Sequence, residues 1–221
     1  MADLTLPGHI APAPNGAAGV DVNQVLTAAQ AQAFKNAGYA FCVRYVPRTP
    51  DPKLQAGNLT RAEALDILNA GLALMAVQHV ELPPWKPNTN LGTMYGKYAA
   101  TYAQQIVALP PGVNIWCDLE GVAAGVSVQD VIAYCQAWYY EVHSAGYVPG
   151  IYVGYDVVLT PDQLYNDISF QHYWRAYNGP EVSTRGFQLI QKTQKILDGI
   201  EYDPDVAQTD GMGDSALWLT L

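Results

Sequence analysis

The stretch Val113-Asn-Ile-Trp-Cys-Asp-Leu-Glu120 decides the fold of this chain. Successive side chains of a β-strand point to opposite faces, so every second residue shares a face. One face of this stretch is apolar throughout, and the other contains Asn114, Trp116, Asp118 and Glu120. The pattern predicts a strand that packs its apolar face against helices and turns its polar face towards the inside of a barrel, with two carboxylates at its end.

Strand and helix signals alternate on both sides of this stretch. Thr27-Ala-Ala-Gln30 and Thr60-Arg-Ala-Glu63 are capping boxes that open two helices, and Gly38 and Gly71 suit the ends of those helices. Strands are predicted over residues 18–22, 39–46, 72–80, 113–119, 147–153, 171–177, 187–191 and 200–203. A helix follows each of the first five strands, whereas the segments after the last three are too short for crossover helices.

Repeated strand–helix units indicate a parallel sheet, and eight strands can close into a barrel. We therefore expect an α/β fold, a TIM-type (β/α) barrel of eight strands whose helices are missing or short after the last three strands. An open, doubly wound sheet is the alternative, but the chain has no GxGxxG-type loop for a ligand at its switch point. Residues 1–16 are expected to form an irregular lead-in, and residues 17–221 a single barrel domain.

The composition disfavours several classes of partner. The chain of 221 residues is 50% hydrophobic and has a formal net charge of -9, which opposes binding to nucleic acid or to an anionic membrane surface. Its three cysteines lie in apolar segments and are expected to be reduced. No signal peptide is recognisable, so we expect synthesis in the cytoplasm. We also expect a monomer.

Carboxylates recur at the ends of the predicted strands, where the active sites of such barrels lie. Asp118 and Glu120 end the fourth strand, Asp21 ends the first and Asp203 the eighth. Strands one and eight are neighbours in a closed barrel, so Asp21 and Asp203 are expected to approach each other. Repulsion between paired acids raises the pKa of one of them and leaves a proton donor beside a charged carboxylate, as glycoside hydrolysis requires. The alternative is that these acids have no catalytic role and are partly solvated side chains paired with arginine or lysine.

Other side chains on the strands are candidates for substrate binding. Arg44 on the second strand is predicted to hold one of the carboxylates through a bidentate ion pair. Aromatic rings stack on the apolar faces of sugars, although each ring taken singly is more often part of a core. The remaining candidates are Tyr152, Tyr155, Trp174 and Gln191.

No cofactor or metal site is expected from the motifs. The chain has no GxSxG, HExxH or Walker motif, which argues against acyl transfer, zinc proteolysis and nucleotide hydrolysis. Asp203-Pro-Asp205 with Asp210 and Asp214 lacks the glycine and the terminal glutamate of an EF-hand loop. A calcium site at these aspartates is therefore not expected.

Four short motifs, in order along the chain, resemble glycoside hydrolase family 25, the barrel lysozymes of bacteria, fungi and phages. They are Gly19-Val-Asp21-Val, Asp118-Leu-Glu120, Pro149-Gly-Ile-Tyr152 and Tyr202-Asp203-Pro-Asp205. The segments 38–46 and 60–63 give a stronger resemblance to the related glycoside hydrolase-like domain of unknown function, and the likeness spans about residues 17–210. The resemblance implies that Glu120 is the general acid and that Asp118 stabilises developing positive charge or orients an acetamido group. It also implies that Asp21 and Asp203 complete an acidic cluster without metal or cofactor.

Two strand ends depart from the lysozyme pattern. The third strand ends Val77-Gln-His-Val80 and the seventh reads Phe187-Gln-Leu-Ile-Gln191, at positions that shape the sugar cleft. Three hypotheses follow: a glycoside hydrolase that cuts peptidoglycan or a related polysaccharide, a non-catalytic barrel that binds a glycan or a cell-wall partner, and a barrel enzyme that uses the same acids on another substrate. Action on a cell wall would require release or export by a non-classical route.

Overall fold

The computed structural model describes residues 5–51, 53 and 57–221. Its strands are β1 (His9–Pro12), β2 (Ala18–Val22), β3 (Phe41–Val46), β4 (Ala73–Gln78), β5 (Asn114–Leu119), β6 (Val148–Val153), β7 (His172–Arg175), β8 (Leu189–Gln191), β9 (Lys195–Leu197), β10 (Ile200–Ala207) and β11 (Leu217–Thr220). Its helices are α1 (Ala28–Asn36), α2 (Arg61–Asn69), α3 (Thr89–Tyr102), α4 (Val128–Ser144) and α5 (Pro161–Asn166), and a π-helical turn over Ala103–Val107 follows α3.

Eight strands close into the expected α/β barrel. Strands β2 to β8 follow one another in parallel, β10 lies between β8 and β2, and the pairing of β4 with β5 completes the ring. A helix follows each of the barrel strands β2 to β6, while the segments after β7, β8 and β10 carry none, as the sequence predicts. None of the helices described here has both the length and the apolar character needed to cross a bilayer.

The expectation of an all-parallel barrel is wrong at one strand. β10 runs antiparallel to both β2 and β8. β8 ends at the top of the barrel, and no helix follows to carry the chain back to the bottom; instead the short hairpin of β9 and β10 turns the chain downwards. β10 continues through Pro204 to Ala207, so it is longer than the predicted strand over residues 200–203.

The helix starts show how local sequence sets these elements. Thr27 and Gln30 form the complete capping box that the sequence predicts at the start of α1. At α2 the box is half formed, because Thr60 accepts from the backbone N–H of Glu63 while the Glu63 carboxylate bonds elsewhere. Gly38 and Gly71 follow these helices with positive φ of 95° and 84°, a conformation that glycine adopts without steric cost.

The two chain termini close the bottom of the barrel. The expectation of an irregular lead-in is wrong for part of it, since β1 pairs antiparallel with β11, and β11 in turn pairs with β4 at Leu74. Trp218 on β11 packs against Phe41 inside the barrel, with ring centroids 5.4 Å apart. Residues 1–4 of the lead-in lie outside the described residues. The strand depends on a partner some 200 residues away, which local composition does not reveal.

The barrel interior is filled by aromatic side chains below the strand ends. Trp116 on β5 and Trp174 on β7 meet edge to face with centroids 5.8 Å apart, and both are fully buried. A Cβ atom at Gly150 on β6 would collide with the ring of Trp116, so the small residue makes room for the large one. The predicted alternation on β5 therefore holds: Asn114, Trp116 and Asp118 point inward and their neighbours pack against the helices.

Candidate active site

A cluster of carboxylates lies at the top of the barrel, where the parallel strands end. Asp21 on β2 is directly opposite Asp203 on β10, and Asp205 is directly opposite Gln191 on β8. Facing residues of an antiparallel pair share a face, so all of these side chains point inward. The predicted approach of Asp21 to Asp203 is confirmed, although by an antiparallel strand. Their roles in catalysis stay predictions.

Asp21 is buried at the centre of a hydrogen-bonded chain. Its two oxygens accept from Gln191 Nε2 at 2.9 Å and from the Tyr45 hydroxyl at 3.3 Å, and Tyr152 donates to Gln191 Oε1 at 2.9 Å. Burial raises the pKa of Asp21 from 3.8 to about 7; the bond from Gln191 opposes this rise and the charge of Asp203 adds to it. Gln191 and Tyr152 were predicted to bind substrate. In the structure, Gln191 bonds Asp21 directly and Tyr152 holds the Gln191 amide in place.

Asp205 is a member of the cluster that the sequence reading left out of the site. It is only 1% exposed and accepts a hydrogen bond from Trp174 Nε1 at 2.8 Å. Burial raises its pKa well above the usual value, followed by the charge of Asp21; a hydrogen bond between the two acids raises the pKa of Asp205 and lowers that of Asp21. These effects favour the protonated form of Asp205, whose Oδ2 accepts no hydrogen bond from any of the described residues. The alternation of residues 201, 203 and 205 was the signal that could have identified it.

Asp118 and Glu120 stand at the end of β5. Asp118 is buried, and one of its oxygens has no hydrogen-bond partner among the described residues. Burial raises its pKa well above 3.8, the charges of Glu120 and Asp21 raise it further, and a backbone hydrogen bond from Val80 opposes the rise. Glu120 is half-buried, and this burial raises its pKa as well. Of the two, Glu120 is the acid that a solvent-borne substrate reaches more easily.

The backbone around Glu120 is fixed on both sides. The indole Nε1 of Trp85 donates to the carbonyl of Glu120 at 2.7 Å, and the N–H of Gly121 donates to the carbonyl of Tyr155 at 2.9 Å. The Glu120 side chain lies against Gly154 at the end of β6, where an added Cβ atom would come within 2.5 Å of Glu120 Oε2. The absence of a side chain at residue 154 thus leaves the space that the Glu120 carboxylate occupies.

Two cavities of about 360 Å³ each share Asn23, and Asp21 and Asp203 are the acids of the cluster among their lining residues. One is lined by Asp21, Tyr45 and Asp203, and the other by residues including Arg48 and His79. The rings of Tyr45 and His79 pack with centroids 4.6 Å apart. Burial lowers the pKa of His79 to about 4, so it is neutral near pH 7. Together the cavities form a cleft large enough for a chain-like ligand.

The predicted ion pair between Arg44 and a strand-end carboxylate is wrong. Arg44 points away from the barrel interior, and its Nε bonds Glu63 on α2 at 2.6 Å. Its other nitrogens donate to the carbonyls of Val22 and Gly57. Both faces of a barrel strand are buried, one by the interior and one by helices, so alternation alone does not say which face is which. Arg44 is therefore a structural residue that ties β3 to α2.

The aromatic residues predicted to bind substrate differ in how much of each side chain is exposed. Trp174 is 1% exposed and already bonded to Asp205, so it is part of the core beneath the cluster. Tyr155 is 52% exposed, next to Gly154 in the loop after β6. Tyr155 alone of the three predicted aromatic candidates presents a largely open ring face, and it does so beside Glu120.

The aspartates near the C-terminus hold an arginine. Arg185 bonds Asp210 at 2.8 Å and Asp214 at 2.9 Å, and Asp210 also accepts from Gln188 Nε2 at 2.6 Å. A guanidinium thus occupies the position between these carboxylates. No group of three or more His, Cys, Asp or Glu side chains within 5–51, 53 and 57–221 is arranged to hold a metal ion.

A closed α/β barrel with acids gathered at its strand ends defines the class of glycoside hydrolase-like barrels. The family model described as the Rv2525c-like, glycoside hydrolase-like domain matches residues 32–206, and the chain belongs to this family. Comparison with curated proteins gave no significant match.

Solved structures of similar fold cover most of the chain. The Tat-secreted protein Rv2525c of Mycobacterium tuberculosis is 15% identical with a TM-score of 0.65, over 86% of this chain and 95% of that one. A bacterial lysozyme of Streptomyces coelicolor is 13% identical with a TM-score of 0.56, over 87% and 92% of the two chains. The spore cortex lytic enzyme SleM of Clostridium perfringens is 14% identical with a TM-score of 0.61, over 88% and 68%. At these identities the likeness concerns the fold.

Proposed function

We propose that this protein is a glycosidase that acts on a bacterial cell-wall glycan, with Glu120 as the general acid. The observation that carries the proposal is the placement of Glu120, half-buried with a raised pKa, beside the buried Asp118 at the open end of the barrel. A raised pKa extends the pH range over which a carboxyl group keeps its proton, and a protonated carboxyl group can protonate the oxygen of a glycosidic bond.

The remaining acids have supporting roles in this mechanism. Asp118, on the same strand, stabilises the positive charge that develops on the sugar ring or orients an acetamido group of the substrate. Asp21 and Asp205 interact and both have raised pKa values, so they titrate as a pair and not as two independent groups. Asp203, partly exposed opposite Asp21, faces the cleft, where it can accept hydrogen bonds from sugar hydroxyls.

The proposed substrate is peptidoglycan or a related polysaccharide. Two proteins of similar fold are described as a lysozyme and as a spore cortex lytic enzyme, which makes a wall glycan the first substrate to test. The cleft, which Asp21 and Asp203 line, and the exposed ring of Tyr155 near Glu120 offer surfaces for a chain of sugars. The proposal includes action as a monomer that reaches the wall by release or non-classical export.

The deciding experiment measures reducing ends released from purified peptidoglycan by the wild type and by Glu120→Gln. We expect release by the wild type and a loss of about a hundredfold or more in the variant, the usual scale for removing a general acid. Glu141→Gln, a change of the same chemistry on α4 far from the cleft, is the matched control and should keep full activity.

Two outcomes would contradict the proposal. Activity that survives in Glu120→Gln would remove the role of Glu120. No release by the wild type from any wall glycan, together with equal glycan affinity in both proteins, would instead favour a binding barrel without catalysis.

A further inference from the structure

We infer that the bottom of the barrel carries a second glycan-binding site, which takes a neutral N-acetylated sugar unit. The site is a cavity of about 490 Å³ at the start of β6 and β7, at the opposite end of the strands from the carboxylate cluster. It is lined by side chains from three segments, including Tyr139, His143, Tyr147, Pro149, Gln171 and His172. The choice of a glycan as ligand rests on the proposed function.

One wall of the cavity is a stacked pair of rings. Tyr139 and His143 are one helical turn apart on α4, and their rings lie nearly parallel, with an interplanar angle of 10° and centroids 5.4 Å apart. Pro149 on β6 adds an apolar surface opposite the helix. Tyr139 also meets Phe170 edge to face with centroids 5.3 Å apart, so the ring pair is held in place, and the ring surface that remains on the cavity side can contact the C–H groups of a pyranose.

The polar part of the cavity is built around His172, which is buried. Asn114 Oδ1 accepts from the backbone N–H of Leu217 at 2.6 Å, and Asn114 Nδ2 donates to the carbonyl of Val148 at 3.1 Å, so the orientation of this amide is fixed. His172 Nδ1 lies 3.0 Å from the same Oδ1 and must therefore donate to it. The lone pair of His172 is then on Nε2, as a hydrogen-bond acceptor in a side chain that lines the cavity.

The cavity favours an uncharged ligand. None of its lining residues is Asp, Glu, Lys or Arg. Burial lowers the pKa of His172 to about 4, so this side chain is neutral at physiological pH. The formal net charge of -9 repels anionic polymers in general. The imidazole acceptor and the amide of Gln171 fit the hydroxyl and acetamido groups of an N-acetylhexosamine, which carries no charge.

A site at this end would give the protein two separate contacts with a long glycan. The catalytic cleft would hold the segment to be cut, and the bottom cavity would hold another segment of the same wall. Two linked weak contacts lengthen the time that a protein stays bound to a polymer, even when neither contact is tight alone.

The test uses the four histidines of the chain as reporters. Imidazole signals are followed by proton–nitrogen NMR in the Glu120→Gln variant of the 221-residue chain while the trimer of N-acetylglucosamine is added. His143 and His172 report on the bottom cavity, His79 reports on the cleft, and His9 on β1 is the internal control. We expect His143 and His172 to shift together and to saturate.

Matched variants test whether the chemical-shift changes of His172 arise from binding in the cavity. Tyr139→Ala and Gln171→Ala should each weaken the saturation curve of His172 by about tenfold, and Tyr140→Ala, an exposed tyrosine on the same helix that does not line the cavity, should leave it unchanged. Gln171 has an exposed side chain, so its variant is expected to fold normally.

Two results would overturn the second site. A shift of His79 with no change at His143 and His172 would place all binding in the cleft, which supports the proposed function and removes this inference. No shift of any histidine would exclude neutral-glycan binding at the bottom cavity. The reducing-end assay on peptidoglycan then still decides the proposed function independently.

Discussion

Asp21 on β2 lies directly opposite Asp203 on β10, in an antiparallel pair that places both side chains on the interior face of the barrel. This pairing also brings Asp205 inside, two residues further down β10. A parallel eighth strand would run upwards, and Asp205 would then leave the barrel at its top. The reversed strand is therefore the reason that a third acid is buried beneath the cleft.

The raised pKa of Asp21 predicts that this residue contributes stability at low pH that is lost as the pH rises from about 4 to about 7. The pKa of Asp21 is raised from 3.8 to about 7 on folding, so the folded state binds more protons than the unfolded state within this window. The contribution of Asp21 then falls with increasing pH, because proton release from the unfolded chain favours unfolding, whereas His79 and His172, whose pKa values are lowered to about 4, contribute with the opposite sign. Chemical denaturation across this range measures the slope.

The matched variant is Asp21→Asn, which removes the titrating group and should therefore remove its part of the slope. Each unit of difference between the folded and unfolded pKa of Asp21 changes the free energy of unfolding by about 1.4 kcal/mol at most. Asp167→Asn, an exposed aspartate after α5, should leave the slope as it is. An equal dependence of stability on pH in the wild type and in Asp21→Asn would show that Asp21 is ionised throughout.

Gly154 predicts an activity defect that acts through Glu120. A methyl group at residue 154 would come within 2.5 Å of both Cβ and Oε2 of Glu120, so the carboxylate must move. We expect Gly154→Ala to lower kcat on peptidoglycan by about tenfold or more, since misplacing a catalytic group by an ångström has effects of this size. Steady-state kinetics on soluble peptidoglycan fragments measures it.

The control for Gly154 is a double-variant comparison. In a Glu120→Gln background the further change Gly154→Ala should have no added effect, because the group it displaces no longer acts as an acid. An equal loss in both backgrounds would mean that the methyl group harms the protein by another route.

The ion pair of Arg44 and Glu63 predicts a loss of stability and not of binding. Both side chains are almost completely buried, and Arg44→Met would leave the Glu63 carboxylate without its partner. Breaking a buried pair in this way costs about 3–5 kcal/mol, whereas replacing both partners by apolar residues costs far less. Urea denaturation of Arg44→Met and of the double variant Arg44→Met/Glu63→Met compares the two cases. Normal stability with lost glycan affinity in Arg44→Met would restore the substrate-binding role first expected of Arg44.

The sequence predicts most of this architecture because the signals for it are local. Capping residues such as Thr27 and Ser127 mark helix starts, and the alternation around Asp118 assigns the faces of β5. The inward face of β3 was not predictable, since both Arg44 and Val43 are buried and the partner of Arg44 lies on a helix 19 residues away. The direction of β10 was also hidden, because it follows from the missing crossover helix after β8 and not from any residue within the strand.

The position of the acids in the barrel was predicted in part, and again from local signals. Asp21, Asp118 and Glu120 were identified from strand ends, which the parallel strands bring together at one edge. Asp205 was missed because Pro204 argues against a continuing strand, and in the structure β10 pairs straight through that proline. The hydrogen bonds that link Tyr152 to Gln191 and Gln191 to Asp21 join residues on different strands. They depend on how those strands are placed in the barrel, which the sequence of one strand does not reveal.

Tyr155 predicts a binding defect that leaves the chemical step intact. Its side chain is 52% exposed beside the segment that holds Glu120, and the N–H of Gly121 bonds its carbonyl, so the backbone at this position is fixed while the ring is open. A ring that only stacks on a sugar contributes equally to the substrate and the transition state, so its removal raises KM and spares kcat. We expect Tyr155→Ala to raise KM on peptidoglycan fragments by about tenfold, with Tyr140→Ala on α4 unchanged. A fall in kcat at constant KM would instead mean that Tyr155 positions the acid, and the sugar platform would have to be sought elsewhere along the cleft.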